Sequence, residues 1–141
     1  YPQVRAVVAV CPAPEWLLLP WLESGQAVTQ TRELGLSLHI NAAGFADYLR
    51  SQDLRRNIAC LSPRPLFLIQ AKGDELVPYS STQELYALAG EPKRLLLLDG
   101  GDHRSAQHDP KVHEEVVCWL RDRHCDPERS EGEAILCHRA T

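Results

Sequence analysis

Apolar residues run almost without a break from Val4 to Val10 (V-R-A-V-V-A-V) until Pro12 and Pro14 end the run. A short, β-branched run of this kind predicts a strand buried on both faces, the habit of parallel sheets. Leu66–Ala71 (L-F-L-I-Q-A), introduced by Pro63 and Pro65, repeats the signal, and so does Arg94–Leu98 (R-L-L-L-L), which stops at Asp99-Gly100-Gly101. Between the first two strands, Pro14 through Arg56 mixes an apolar cluster (Trp16 to Leu19, Trp21, Leu22) with amphipathic stretches around Gly25, and predicts helices. Pro78 opens another helix, for which Ser80 with Gln83, or Ser81 with Glu84, offers a capping box; Leu85, Leu88 and Ala89 face inward and Gly90 ends it. The last helix starts at Asp109-Pro110 and carries Val112, Val116, Val117, Trp119 and Leu120 as its apolar side.

Strand and helix alternate, so the expected fold class is α/β: a parallel sheet in a three-layer arrangement with flanking helices. The expected organisation is one domain over residues 1–123, with 14–60 as a helical segment, and a polar, aperiodic tail over 124–141 that buries too little surface to order itself. No segment repeats.

Composition narrows the function. The hydrophobic share is 44%, the charged share 24% and the net charge −4, which suits a globular domain and supplies no cationic surface for a phosphate backbone. Nucleic acid is not an expected partner. The longest apolar stretch, Trp16 to Leu22, is broken by Pro20 and is too short to span a bilayer, so no membrane partner is expected either. Five cysteines (Cys11, Cys60, Cys118, Cys125, Cys137) at irregular spacing, with no C-x-x-C pair, match no disulfide framework and point to the cytoplasm. A chain that opens on Tyr1 and contains no Met is expected to be a fragment.

Candidate chemistry sits in the turns after the second and third strands. Lys72-Gly73-Asp74-Glu75-Leu76-Val77-Pro78 follows one, and Asp99-Gly100-Gly101-Asp102-His103, read as a loop, follows the other. In open α/β sheets the catalytic groups collect at the carboxyl ends of strands. A carboxylate and an imidazole on adjacent ends can form an acid–base pair, with the acid holding the tautomer of the base. Alone, each is ordinary turn chemistry. Asp102 is a rival acid, but adjacency to His103 makes their side-chain contact awkward. His103, His108 and His113 recur every five residues, with Cys118 continuing the count; five residues do not share a helical face, which argues against a metal. No metal and no cofactor are expected.

Residues 62–123, with S-P-R-P-L-F-L-I-Q-A-K-G-D-E-L-V-P, E-L-Y-A-L-A-G-E-P-K-R-L-L-L-L-D-G-G-D-H-R and the closing W-L-R-D-R, resemble the C-terminal part of an α/β-hydrolase fold. The likeness is to serine hydrolases of the dienelactone-hydrolase and prolyl-oligopeptidase type, and Val4–Val10 extends it to most of residues 1–123. The resemblance implies that Asp74 is the acid of a catalytic triad and His103 its base, that residues 14–60 form part of a cap, and that the substrate is a small-molecule or peptide ester, amide or thioester. The chain departs from the family pattern in one respect: the nucleophile elbow G-x-S-x-G occurs nowhere in it. Two expectations follow. Either the chain is part of a serine hydrolase whose nucleophile lies in a missing N-terminal half, with self-association in that half's absence, or it is a catalytically silent hydrolase-fold remnant serving as a binding module.

Overall fold

The computed structural model describes residues 3–33, 35 and 41–125. Its three strands are β1 (Val7–Val10), β2 (Leu66–Ala71) and β3 (Lys93–Leu98). They form one parallel sheet in the order β1-β2-β3, with Val7 opposite Leu66 and Leu66 opposite Lys93. The described residues also form seven helices: α1 (Glu15–Glu23), α2 (Gln26–Glu33), α3 (Ala42–Ser51), α4 (Leu54–Ala59), α5 (Tyr79–Leu88), α6 (His103–His108) and α7 (Pro110–Cys125).

Alternation along the strands divides the core in two. Leu66 and Leu68, with Val7, Ala9 and Leu95 from the neighbouring strands, pack against Trp16 of α1, Ile58 of α4 and Leu85 of α5. Phe67 and Ile69, with Val8, Val10 and Leu96, pack against Val112 and Trp119 of α7. The rings of Phe67 and Trp119 lie 5.3 Å apart, centre to centre. The sheet is therefore the middle of three layers, as its strand–helix alternation predicts. Every residue of β2 is buried, and truncating one of its leucines to alanine should cost about 2–5 kcal/mol.

Several local expectations need correction. The strand read over Val4–Val10 is only Val7–Val10, and its residues are half-buried, because among the described residues β1 has one strand neighbour instead of two. No capping box starts α5: Pro78 precedes it without a side-chain cap, and Ser81 is drawn back, its hydroxyl donating to the Pro78 carbonyl at 2.7 Å. Leu88 is exposed at the end of α5, and Val117 and Leu120 are exposed on α7. The loop read over Asp102 and His103 is the start of α6.

Helices α1, α2 and α3 occupy most of residues 14–60 and hold a separate cluster, Leu22, Ala27, Ala46 and Leu49, covered by Leu18, Leu19 and Trp21. Helix α7 continues to Cys125, and the rest of the segment expected as a tail, 126–141, lies outside the described residues. Among the described residues no helix is long and apolar enough to cross a membrane.

Candidate active site

Because β2 and β3 run in parallel register, with Ala71 opposite Leu98, their carboxyl ends lie side by side. The ladder extends one step beyond them through Lys72 N–H to the Leu98 carbonyl (3.0 Å), and the Lys72 ammonium pairs with Asp99 above it. Beyond this step the two turns touch at Gly73 and Gly101. Gly101 has a φ of +78°, a conformation that favours glycine and that delivers the chain into α6.

Asp102 caps that helix. Its carboxylate accepts from Ser105 N–H at 2.6 Å, and Ser105 Oγ accepts from Asp102 N–H at 2.8 Å. The reciprocal pair is a capping box, so the rival acid is committed to the helix end. His103 is the first residue of α6, and its Nδ1 lies 2.8 Å from Oδ2 of Asp74. The two predicted site residues are thus brought together.

Asp74 is held from several directions, its side chain fully shielded from solvent while that of His103 keeps 27% of its exposure. Oδ1 accepts from the backbone N–H of Leu76 (2.9 Å) and of Val77 (2.8 Å). Oδ2 accepts from Gln70 Nε2 (2.9 Å) as well as from His103. Burial by itself would push the carboxyl pKa up, but the bonds from Val77 N–H, His103, Leu76 N–H and Gln70 together outweigh it and hold Asp74 below the usual carboxylate value. An ionised Asp74 can only accept, so Nδ1 of His103 donates to it. The nitrogen of the Gln107 amide, one turn along α6, lies 3.0 Å from His103 Nε2.

Four participants are absent from the reading of the sequence. Gln70 is the polar residue in a strand otherwise apolar, an anomaly that signals a buried partner. Thr82, on α5, donates its hydroxyl to Gln70 Oε1 at 2.8 Å. Gln107 lies between the loop read over Asp99–His103 and the helix read from Asp109, where the pattern predicts no element. Cys11 follows β1 with a φ of +49°, buried against Ala71 and Ala106 at the same sheet edge. Burial, more than the neighbouring Asp74 carboxylate, raises its thiol pKa.

Cys11, Asp74 and His103 could each offer one ligand atom to a metal, all within 4.8 Å of one another. The donor set is already occupied: a cation there would have to displace the thiol proton and break the Asp74–His103 bond. Among the described residues, His113 turns its Nε2 to the Gln107 carbonyl at 2.9 Å, away from this cluster.

Structural comparison identifies the fold. The chain superposes on alpha/beta hydrolase domain-containing protein 10 from mouse with a TM-score of 0.56 at 18% identity, over 88% of this chain and 54% of that one. It superposes on a hydrolase from Pseudomonas aeruginosa with a TM-score of 0.57 at 19% identity, over 84% and 56%. The fold is that of the α/β-hydrolases. In sequence, 66 residues are 48% identical to the uncharacterized protein YfhR of Escherichia coli (strain K12), covering 45% of this chain and 23% of YfhR. No protein-family model matches the chain. The chain therefore spans just over half the length of these α/β-hydrolase structures and about a quarter of the curated relative.

Proposed function

We propose that the chain is the C-terminal half of a serine hydrolase of the dienelactone-hydrolase or prolyl-oligopeptidase type, acting on an ester, amide or thioester, with Asp74 as acid and His103 as base. The observation that carries this reading is the 2.8 Å bond from His103 Nδ1 to a shielded Asp74 carboxylate. It leaves a basic Nε2 on the exposed side of the ring. The α/β-hydrolase fold supports it, because the pair occupies adjacent strand ends where such folds carry their chemistry.

In this reading a serine hydroxyl from outside these residues approaches Nε2, and Gln107 swings off to admit it. His103 takes the hydroxyl proton as the oxygen attacks the acyl carbon, then returns it to the leaving group. Asp74 holds the ring and stabilises the imidazolium. The exposed thiol of Cys60 and the buried thiol of Cys11 suit a reducing compartment, the cytoplasm. The missing half would supply the nucleophile and pair with the open edge of β1; helices α1 to α3 would serve as part of a cap.

The test is to co-express the chain with the protein segment encoded immediately upstream and to assay p-nitrophenyl ester hydrolysis. Turnover should appear, and Asp74→Asn should lower kcat by roughly 10⁴-fold and His103→Gln by roughly 10⁶-fold. Turnover indifferent to His103→Gln would overturn the assignment. No turnover, together with stable association of the two halves, would favour a silent binding module.

A further inference from the structure

We propose that Thr82 and Gln70 act as positioning residues that determine which nitrogen of His103 carries the proton. The proposal rests on the acid–base reading of Asp74 and His103.

Both side chains are fully buried, Gln70 and Thr82 each at 0% exposure. A buried amide left without partners is costly, so its orientation is decided by what surrounds it. On one side lie three acceptors, Asp74 Oδ2 at 2.9 Å, the Val77 carbonyl at 3.1 Å and the Ala71 carbonyl at 3.4 Å. Those positions require the NH₂ group, because an amide oxygen there would face three oxygens. On the other side the Thr82 hydroxyl donates to the amide oxygen at 2.8 Å. Thr82 thus supplies the donor that the amide oxygen needs, and the amide hydrogens are aimed at Asp74.

The consequence passes to the imidazole. Asp74 already receives two backbone N–H groups on Oδ1. With Gln70 donating to Oδ2, the carboxyl has no direction left in which to hold a proton, and it faces Nδ1 as a pure acceptor. The donor direction therefore runs one way, from Thr82 to Gln70, then to Asp74, which accepts from both Gln70 and the ring. A residue that merely filled this space would leave the imidazole proton unaffected when replaced by an apolar side chain of the same size.

The experiment uses the whole 141-residue chain labelled with ¹⁵N. Long-range ¹H–¹⁵N correlation spectra recorded above the imidazole titration report the tautomer of His103, assigned through His103→Gln. The native chain and Thr82→Ser, which keeps the hydroxyl, should show Nδ1–H in large excess over a measurable Nε2–H. Thr82→Val, which removes the hydroxyl at constant shape, and Gln70→Leu should lower the ratio of Nδ1–H to Nε2–H by about tenfold, the scale of a lost hydrogen bond to a charged group. Should Gln70→Leu fail to fold, Thr82→Val decides the matter. A native ratio in folded Thr82→Val overturns the proposal and leaves the acid–base reading intact. An Nε2–H tautomer in the native chain overturns both.

Discussion

A Cβ on Gly73 would lie 2.5 Å from the carbonyl oxygen of Gly101. The obstruction is backbone, so no side-chain rotation relieves it, and Gly73→Ala must push the acid turn away from the turn that leads into α6. It should lower stability by about 1–3 kcal/mol and lengthen the Asp74–His103 bond. At Gly100 a Cβ meets nothing within 4 Å, so Gly100→Ala should stay within about 0.5 kcal/mol of the native chain. Urea unfolding of the two variants makes the comparison, and equal midpoints would show that the turns do not depend on this contact.

Acid should weaken the fold through Asp74. Its carboxyl is held below the ordinary value of 3.8, so its contribution to stability is fully present above that value and is lost as pH falls through it towards the lower folded value. Between about pH 5 and pH 2 the native chain should therefore lose more stability than Asp74→Asn. Urea midpoints measured across that range should converge; parallel curves would mean that the Asp74 hydrogen bonds contribute little.

How much of this site was legible depended on whether the pattern was periodic or specific to one contact. The alternation of strand and helix was readable because β2 is buried on both faces and its residues had to be apolar. Asp74 and His103 were readable because each ends a strand and the two strands are neighbours. Gln70 was invisible as a partner: a polar residue in an apolar run declares an exception but not what satisfies it, and Thr82 lies in a different element. The capping boxes show the same limit. The chemistry offered at Ser80 and Ser81 was not used, whereas Asp102 and Ser105 formed one where a loop was expected, because the tight passage at Gly101 places a helix start there.

Thiol reactivity should separate Cys11 from Cys60. Burial raises the Cys11 pKa, while Cys60 is exposed, and the thiolate is the species that reacts. Brief treatment with iodoacetamide at neutral pH, followed by peptide mass spectrometry, should find Cys60 modified and Cys11 protected until denaturant is added. Early modification of Cys11 would place its thiol in an open, activated environment.

The edge of β1 should govern association. Val7 N–H and Cys11 N–H bond to β2 at the Pro65 and Ile69 carbonyls, so the alternate N–H of Val8 points to the open side. Sedimentation velocity of the chain alone should show concentration-dependent self-association. Val8→Pro, which removes that outward donor, should shift the equilibrium towards monomer with the circular dichroism spectrum retained. A native chain that stays monomeric at every concentration would mean that the β1 edge is guarded in some other way.

The run of hydrogen bonds that links Thr82, Gln70, Asp74, His103 and Gln107 is contained between Gln70 and Gln107. Asp74 and His103 therefore form a single heritable block. A recombination joint anywhere upstream of Gln70 would carry the pair, its hydrogen-bond partners and the touching glycines into a new chain together. Such a block can be joined to different upstream sequences while its internal hydrogen bonds stay the same, so the segments around it are free to diversify without the Asp74–His103 contact having to be built again.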